Sequence, residues 1–229
     1  MLRFFQFPRS RHFMKSQAGT ALIEFAMVFP ILMAMLVGVH ETTRVLRASH
    51  HMTNYVNAAA YDVAGTGTDL TQASMRELVD RVALMVPEII RSGSSPWSSS
   101  ASGYVDVGIS MIRMTPRVAT CMRNCSYKAT VQWSFGNMRR PACAEMSEAS
   151  ADATPSQNSL PSGVFQSGAL AVVDLSTSYQ YMLTSLLPPK NLRASGYFPV
   201  RNWRQLSSPT PRLTGSDETY SADVCMTSS

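Results

Sequence analysis

The sequence predicts an α+β protein in which one long N-terminal helix packs on a small antiparallel β-sheet, together with one further helix. Three observations support this prediction. An apolar run of 20 residues, 20–39, is followed without a break by an amphipathic helical pattern over 40–64. Farther along the 229-residue chain, three segments alternate apolar and polar side chains with the period of two that is typical of strands.

The apolar run is long enough to cross a membrane. Sixteen of its 20 residues are apolar, and at about 1.5 Å per residue they span roughly 30 Å, the thickness of the hydrocarbon core of a bilayer. Pro30 lies inside the run and is expected to kink the helix, because proline has no backbone N–H to donate. A cleaved secretory signal is the nearest alternative, although its apolar core would be shorter. An uncleaved signal anchor also stays open.

Basic charge is concentrated before this run. The chain has a net charge of +5, and its first 19 residues contain no acid and four basic residues, Arg3, Arg9, Arg11 and Lys15. By the positive-inside rule, this distribution predicts a cytoplasmic N-terminus and a C-terminal part that faces outward. The rest of the chain is nearly neutral and has no basic and aromatic cluster, so nucleic acid is not an expected partner.

Glu24 is a charge within the apolar run. A carboxylate in hydrocarbon costs about 2.5–3.5 kcal/mol and needs a partner. One interpretation places Glu24 near the membrane interface, which its side chain would reach by snorkelling. A second starts from Gly19, because cleavage after this residue would leave the amine of Thr20 one helical turn from Glu24. The same amine–carboxylate pair between neighbouring helices would favour assembly.

Residues 19–25, with the sequence GTALIEF, resemble the processing site of type IV pilin-like proteins of the Flp/Tad class. In that class a prepilin peptidase cuts after the glycine, and a glutamate and an aromatic residue follow, here Glu24 and Phe25. Over residues 15–64 the chain is similar to TadE-like minor pilins, and a weaker similarity covers 170–201. The family carries a glycine, a glutamate and an arginine after the apolar run, here Gly38, Glu41 and Arg44.

The resemblance implies a pilin-like architecture and a structural role as a minor pilin, or pseudopilin, of the tight adherence system. It implies cleavage after Gly19 and action in pilus assembly and adherence. The implied partners are the prepilin peptidase, other minor and major pilins, the inner-membrane assembly platform and membrane lipid. The implied location is the bacterial inner membrane, crossed once, with the C-terminal head in the periplasm, and also the pilus or cell surface. An unprocessed, membrane-anchored periplasmic binding module is the alternative.

The predicted organisation has five parts. They are a basic leader over 1–19, a transmembrane helix over 20–39, its amphipathic continuation over 40–64, an extracytoplasmic head over 65–204 and a polar tail over 205–229.

A second helix is predicted to begin near Asp69, with an apolar face that continues to Ile89. Residues 74–77 have capping-box spacing, and the alternative is that they fall inside the helix. Pro87 is expected to bend its end. Residues 92–103 have the Ser/Gly composition of a flexible linker.

Strands are predicted over 104–112, 126–135 and 171–182, with a weaker fourth over 192–201. Because alternation leaves one face of each strand polar, we expect a sheet with one solvated face. Residues 137–163, rich in Ser, Ala and Pro, are expected to form a long loop.

The four cysteines all follow the apolar run, on the side predicted to be oxidising. Their even number predicts two disulfides, and of the three pairings we favour Cys121–Cys125 and Cys143–Cys225. The C-x-x-x-C spacing differs from the C-x-x-C of redox-active pairs, and a zinc site is not expected outside the cell.

No catalytic motif stands out in the sequence. His40 and Glu41 begin an H-E-x-x-H pattern, but Arg44 stands where the second histidine would be. There is no phosphate-binding loop, dinucleotide fingerprint or nucleophile elbow. We therefore expect no enzymatic activity, no cofactor and no metal.

Overall fold

The structure is a computed structural model that describes residues 17–65, 70–82, 105–121, 123, 125–150, 156–181, 188–200, 213–214 and 222–225. The chain divides into two compact units, Met1–Arg44 and Val45–Ser229. Four predicted segments lie wholly or largely outside the described residues: the leader up to residue 16, the end of the second predicted helix beyond residue 82, the linker and most of the tail.

The first and longest element is α1, Gln17–Gly65, a helix of 49 residues. The sequence predicts this continuous helix, because the apolar run passes directly into the amphipathic pattern. Pro30 lies within it. From residue 21 to residue 40 every side chain of α1 except Val37 is exposed.

The other elements follow α1 in chain order. They are β1 (Leu70–Thr71), α2 (Gln72–Asp80), β2 (Val105–Pro116), β3 (Tyr127–Gly136), β4 (Glu145–Ala149), β5 (Ser159–Pro161), β6 (Gly168–Tyr179), β7 (Lys190–Pro199), β8 (Leu213–Thr214) and β9 (Ala222–Val224).

Seven strands form one sheet in the order β5-β4-β3-β2-β6-β7, with β9 paired to β3, while β1 and β8 form a separate parallel pair. The strands from β4 to β7 in this order pair antiparallel, as predicted. At the edge, β4 and β5 are parallel, so the prediction of a purely antiparallel sheet is wrong there. Nine residues separate these two strands, too many for the two-residue hairpin that joins antiparallel neighbours. The predicted α+β class is confirmed.

The C-terminal part of α1 packs into the core of the second unit. Its buried side chains recur at helical spacing and include Met52, Val56, Ala59 and Val63, the stripe that the sequence predicts. In β7, a Cβ on Gly196 would overlap the carbonyl oxygen of Val56. Glycine at this position therefore lets the strand approach the helix backbone.

The second helix begins slightly later than predicted. Thr71 is the N-cap of α2, and its hydroxyl accepts a hydrogen bond from the backbone N–H of Ser74 (3.1 Å). The Ser74 hydroxyl in turn accepts from the Thr71 N–H, which completes a capping box. Residues 74–77 lie inside the helix, which is the second of the two alternatives that the sequence left open, because Thr71 supplies the cap one turn earlier. From the C-terminal part of α1, in the second unit, the Tyr55 hydroxyl donates to the carbonyl oxygen of Leu78 in α2 (2.7 Å).

Both faces of the central strands are buried, which contradicts the expectation of one solvated face. The face toward α1 carries the predicted apolar residues of β2 and β6, such as Ile109 and Val173. The other face carries a second apolar cluster, made of Ile112, Met114, Ala129, Val131, Met146, Leu160, Leu170 and Val172. Met146 and Leu160 come from the segment that was expected to be a loop, 137–163, which instead contains β4 and β5. Its apolar residues are too few and too irregularly spaced to predict strands.

A β-bulge in β3 causes a second departure from the predicted pattern. Met111 of β2 pairs with Trp133, but the next residue, Ile112, pairs with Val131, so Gln132 is the extra residue. The extra residue shifts the alternation, so that odd-numbered side chains before and after it lie on opposite faces of the sheet. Ala129 and Val131 therefore belong to the second cluster, whereas Trp133 and Phe135 lie in the core beside α1. The sequence alternation alone had placed all four on one face.

Candidate functional site

The predicted processing site lies at the start of α1. Gly19 and Thr20 are helical and follow closely on Gln17, where the helix begins. Glu24 and Phe25 lie about one turn farther along. Cleavage after Gly19 stays a prediction.

The apolar run of α1 presents a nearly continuous hydrophobic surface. Leu22, Met27 and Met35 are 70%, 72% and 66% exposed, and most of their large apolar neighbours are exposed to a similar degree. Water-exposed apolar area costs about 25 cal/mol per Å², so a patch of this kind marks contact with lipid or protein. The helix is long and apolar enough to cross a membrane, which suggests a single-pass anchor.

Glu24 lies on this surface. Its side chain is exposed, and it makes no ion pair or hydrogen bond with any residue in the described part of the chain. One position later, the ring of Phe25 packs on Phe29 with centroids 5.5 Å apart. Pro30 lies within the same stretch of α1, and the kink expected there stays a prediction.

Residues 19–60 match the model of the family described as TadE-like protein. The N-terminal segment of this chain is TadE-like. The match begins at Gly19 and covers less than a fifth of the chain, all of it within α1. No curated protein and no solved structure matches the chain.

The TadE-like match suggests a protein associated with the Tad pilus, in a structural rather than an enzymatic family. The matched residues include Gly38, Glu41 and Arg44, which correspond to the glycine, glutamate and arginine named in the sequence analysis. A Cβ on Gly38 would meet open space, Glu41 is buried and Arg44 is partly exposed.

The structure contains two disulfides, the number that the even cysteine count predicts. Cys121–Cys125 closes the connection between β2 and β3, and Cys143–Cys225 joins the residues before β4 to the end of β9. The Cys225 N–H donates to the carbonyl oxygen of Gln132, so this second disulfide lies beside the bulge of β3 (2.7 Å). Disulfides are typical of proteins exported to an oxidising compartment.

A buried ion pair in the described part of the head was not predicted from the sequence. Oδ2 of Asp174 in β6 accepts a hydrogen bond from Nε of Arg140 (3.0 Å) and lies 2.8 Å from Nη2, and both side chains are almost fully buried. Ser195 of β7 donates to the other carboxylate oxygen (2.7 Å). Arg140 also donates to the backbone carbonyl oxygen of Gln157 (3.1 Å) and to that of Ser159. The pair thus ties the segment before β5 to the sheet.

A cavity of about 610 Å³ lies beside this ion pair. Its floor is the second face of β6 and β7, with Asp174, Ser176 and Arg193, and its walls include Asn137 and Asn158. The lining is predominantly polar, unlike the apolar cluster that covers the rest of this face. The described residues contain no group of three or more metal-ligating side chains.

Glu145 and Tyr197 are among the ionisable groups of the head whose pKa values are shifted. A hydrogen bond from Lys128, aided by the charges of Lys128 and Arg117, lowers the pKa of Glu145 although burial opposes the shift. Burial raises the pKa of Tyr197, while the nearby Ser195 hydroxyl works in the opposite direction. The Tyr197 hydroxyl is buried and has no partner within hydrogen-bond geometry among the described residues.

A signal for Asp174 is present in the sequence. It is the one charge in the apolar stretch 169–175, as Glu24 is within 20–39. A charge in such a stretch calls for a partner, but nothing in the pattern points to Arg140, which is 34 positions away and lies outside any regular element.

Proposed function

We propose that this chain is a minor pilin-like subunit of a Tad-type pilus, cleaved by a prepilin peptidase after Gly19 and active in pilus assembly and adherence. The observation that carries the proposal is the exposed apolar surface of α1 within the TadE-like segment. A helix that leaves so much apolar area uncovered requires lipid before assembly and other apolar helices afterwards.

Glu24 makes this apolar surface favour a neighbour that supplies a positive charge. In the described part of the chain its carboxylate has no partner, and burial among apolar helices would be costly without one. Cleavage after Gly19 would create an amine at Thr20 that can pair with the Glu24 carboxylate of the same helix or of a neighbour. The pair would fix the axial position of one subunit against the next.

The proposed partners follow from this arrangement. The prepilin peptidase would act on the segment around Gly19, and the apolar surface would contact other pilins and the assembly platform. The proposed location is the bacterial inner membrane with the head in the periplasm, as the basic leader predicts, and then the pilus or cell surface. Two disulfides in the part of the chain that follows the apolar run support an oxidising compartment.

The decisive experiment is to determine the mature N-terminus. The protein isolated from membranes of cells that make the pilus should begin at Thr20, and Gly19→Leu should retain the leader because the peptidase requires a small residue at the cleavage site. Gly38→Leu is the matched control, since this glycine lies in the same helix with open space around it. Intact mass spectrometry of the three chains reads out the cut.

A mature chain that begins at Met1 would overturn the processing step and favour the unprocessed, membrane-anchored binding module. A cut beyond Val39 would instead indicate a secretory signal. In either case Gly19→Leu would leave the mass of the mature chain unchanged apart from the substitution itself.

A further inference from the structure

We propose that the polar cavity of the head binds a neutral saccharide unit. The cavity lies between the second face of β6 and β7 and the segments around Asn137 and Asn158. Its volume of about 610 Å³ falls within the range of small-molecule sites, roughly 300–1,000 Å³. The proposal is independent of whether the chain enters a pilus.

The back of the cavity is held in place before any ligand arrives. Arg140, which is 1% exposed, is bound at once to Asp174, to the backbone carbonyl oxygen of Gln157 and, through its own N–H, to the hydroxyl of Ser134 (2.9 Å). Because these contacts join β6, β3 and the segment before β5, the wall and floor form one fixed surface. A preformed surface lowers the entropic cost of binding.

The front is fixed by Asn137. Its side-chain oxygen accepts from the Val107 N–H (2.7 Å), and its amide nitrogen donates to the carboxylate of Asp106 (3.0 Å). Gly108 completes this corner, because a Cβ there would overlap the carbonyl oxygen of Met138. The position of Asp106 at the cavity edge is therefore set by backbone and side-chain contacts.

The charges that line the cavity cancel. Asp174 is neutralised by Arg140, and the lining also contains one further carboxylate, Asp106, and one guanidinium, Arg193, whose opposite charges leave no net charge. A strongly acidic or strongly basic ligand would gain little net Coulomb energy here. Most of the lining residues are polar, which also disfavours a lipid or an aromatic molecule.

Several lining side chains have hydrogen-bonding capacity to spare. The side chains of Asn158, Ser176 and Arg193 make no hydrogen bond or ion pair with any other described residue. Together they present hydroxyl, amide and guanidinium groups, a mixture of donors and acceptors. Saccharide hydroxyls are both donors and acceptors on adjacent carbons, and planar amide and guanidinium groups can engage two of them together. A neutral sugar is the ligand class that this lining suits.

Saturation-transfer NMR on the full chain in phosphatidylcholine nanodiscs, which contain no sugar, tests the proposal. The probes are the methyl glycosides of glucose, galactose, mannose and N-acetylglucosamine, with methyl glucuronide as the charged counterpart of glucose. At least one neutral glycoside should receive saturation at millimolar concentration, and methyl glucuronide should respond at least threefold less than methyl glucoside. A response to N-acetylglucosamine alone indicates the glycan of the cell wall as the source, and a response to the hexoses indicates a surface outside it.

Two serines of β6 provide matched variants. Ser176 lines the cavity, whereas Ser178, the next residue on the same face of the strand, does not. Ser176→Phe should fill the cavity and abolish the response, while Ser178→Phe should retain it. Should Ser176→Phe fail to fold, Arg193→Gln provides a second variant at an exposed position and should weaken binding about fivefold, the loss of roughly one hydrogen bond.

No response from any neutral glycoside would overturn the proposal. A response from the glucuronide alone would also overturn it, because it would show that Arg193 selects an anion. Equal responses from the parent chain, Ser176→Phe and Arg193→Gln would place the sugar elsewhere on the protein and overturn it as well.

Discussion

Asp174 and Glu24 are each the single charged residue in an apolar stretch of the sequence, but they differ in burial and in pairing. Asp174, in β6 of the head, is buried and held by Arg140 and Ser195. Glu24, in the apolar run of α1, is exposed and has no ion pair in the described part of the chain. The head therefore satisfies its lone charge internally, whereas the helix carries a charge whose partner would come from processing or from another subunit. Asp174 thus contributes to the folding of the head, whereas Glu24 would contribute to assembly with other subunits.

The largest effect is expected from Glu24→Ala. Under the proposed function, pili should be lost because the registering charge is removed, while membrane insertion and cleavage should continue because the apolar run gains hydrophobicity. Electron microscopy of the cell surface and the mass of the mature chain measure the two outcomes. Glu77→Ala, in the exposed face of α2, is the matched control and should leave piliation normal. Normal piliation in Glu24→Ala would remove the contrast with Asp174.

The next effect is expected on folding. Asp174→Ala should lower the free energy of unfolding by about 3–5 kcal/mol, because it leaves the guanidinium of Arg140 buried without its charge partner. Arg117→Ala breaks the ion pair with Glu145, whose two side chains are more than a third exposed, and should cost less than about 1 kcal/mol. Urea unfolding of the full chain in detergent measures both. A loss below about 1 kcal/mol in Asp174→Ala would show that water, and not Arg140, satisfies this carboxylate.

The smallest effect is expected at a hydroxyl that has no hydrogen-bond partner among the described residues of the head. Tyr197→Phe should raise the free energy of unfolding by about 1 kcal/mol, because it removes a buried polar group that lacks a hydrogen bond. Burial raises the pKa of Tyr197 above its ordinary value of 10.0, so the folded chain holds the phenolic proton more tightly than the unfolded chain. The stability of the parent chain should therefore fall as the pH rises through 10.0, and the variant should lose less.

Tyr127→Phe is the control, because Tyr127 packs against the same apolar cluster as Tyr197. Thermal unfolding followed by circular dichroism at pH 7 and at pH values above 10.0 compares the three chains. Destabilisation by Tyr197→Phe at pH 7 would contradict the prediction and would indicate a hydrogen bond through an ordered water molecule.

Those parts of the fold could be predicted from the sequence in which regularly spaced apolar residues all contact the same core. The stripe of α1 through Met52 and Val56 and the alternation in β2 and β6 all report contact with a single core. Prediction failed at β3 because one extra residue, Gln132, exchanges the two faces of the strand, and alternation looks the same on either side of a bulge. It failed again where the segment with Met146 and Leu160 covers the second face, since irregular segments have no period.

In the candidate sites too, some residues could be predicted from the sequence and others could not. Gly19 and Glu24 could be recognised because their spacing is local and recurs in a known family. The cavity could not, because Asp106, Asn137 and Arg193 come from distant parts of the chain and meet only after the strands pair. Long-range pairing in β-structure is not encoded in any short window of sequence.

The Cys143–Cys225 disulfide also constrains the order in which disulfides can form during synthesis. Cys143 and Cys225 are separated by 82 positions, so at synthesis rates of about 5–20 residues per second the partner of Cys143 follows it by about 4–16 s. During this interval three cysteines are present without the fourth. The order of synthesis gives Cys121 and Cys125, only four positions apart, the first opportunity to pair, and an early bond between them would keep Cys143 from the wrong partner. Early closure of Cys121–Cys125 would thus favour the correct pairing of Cys143 with Cys225.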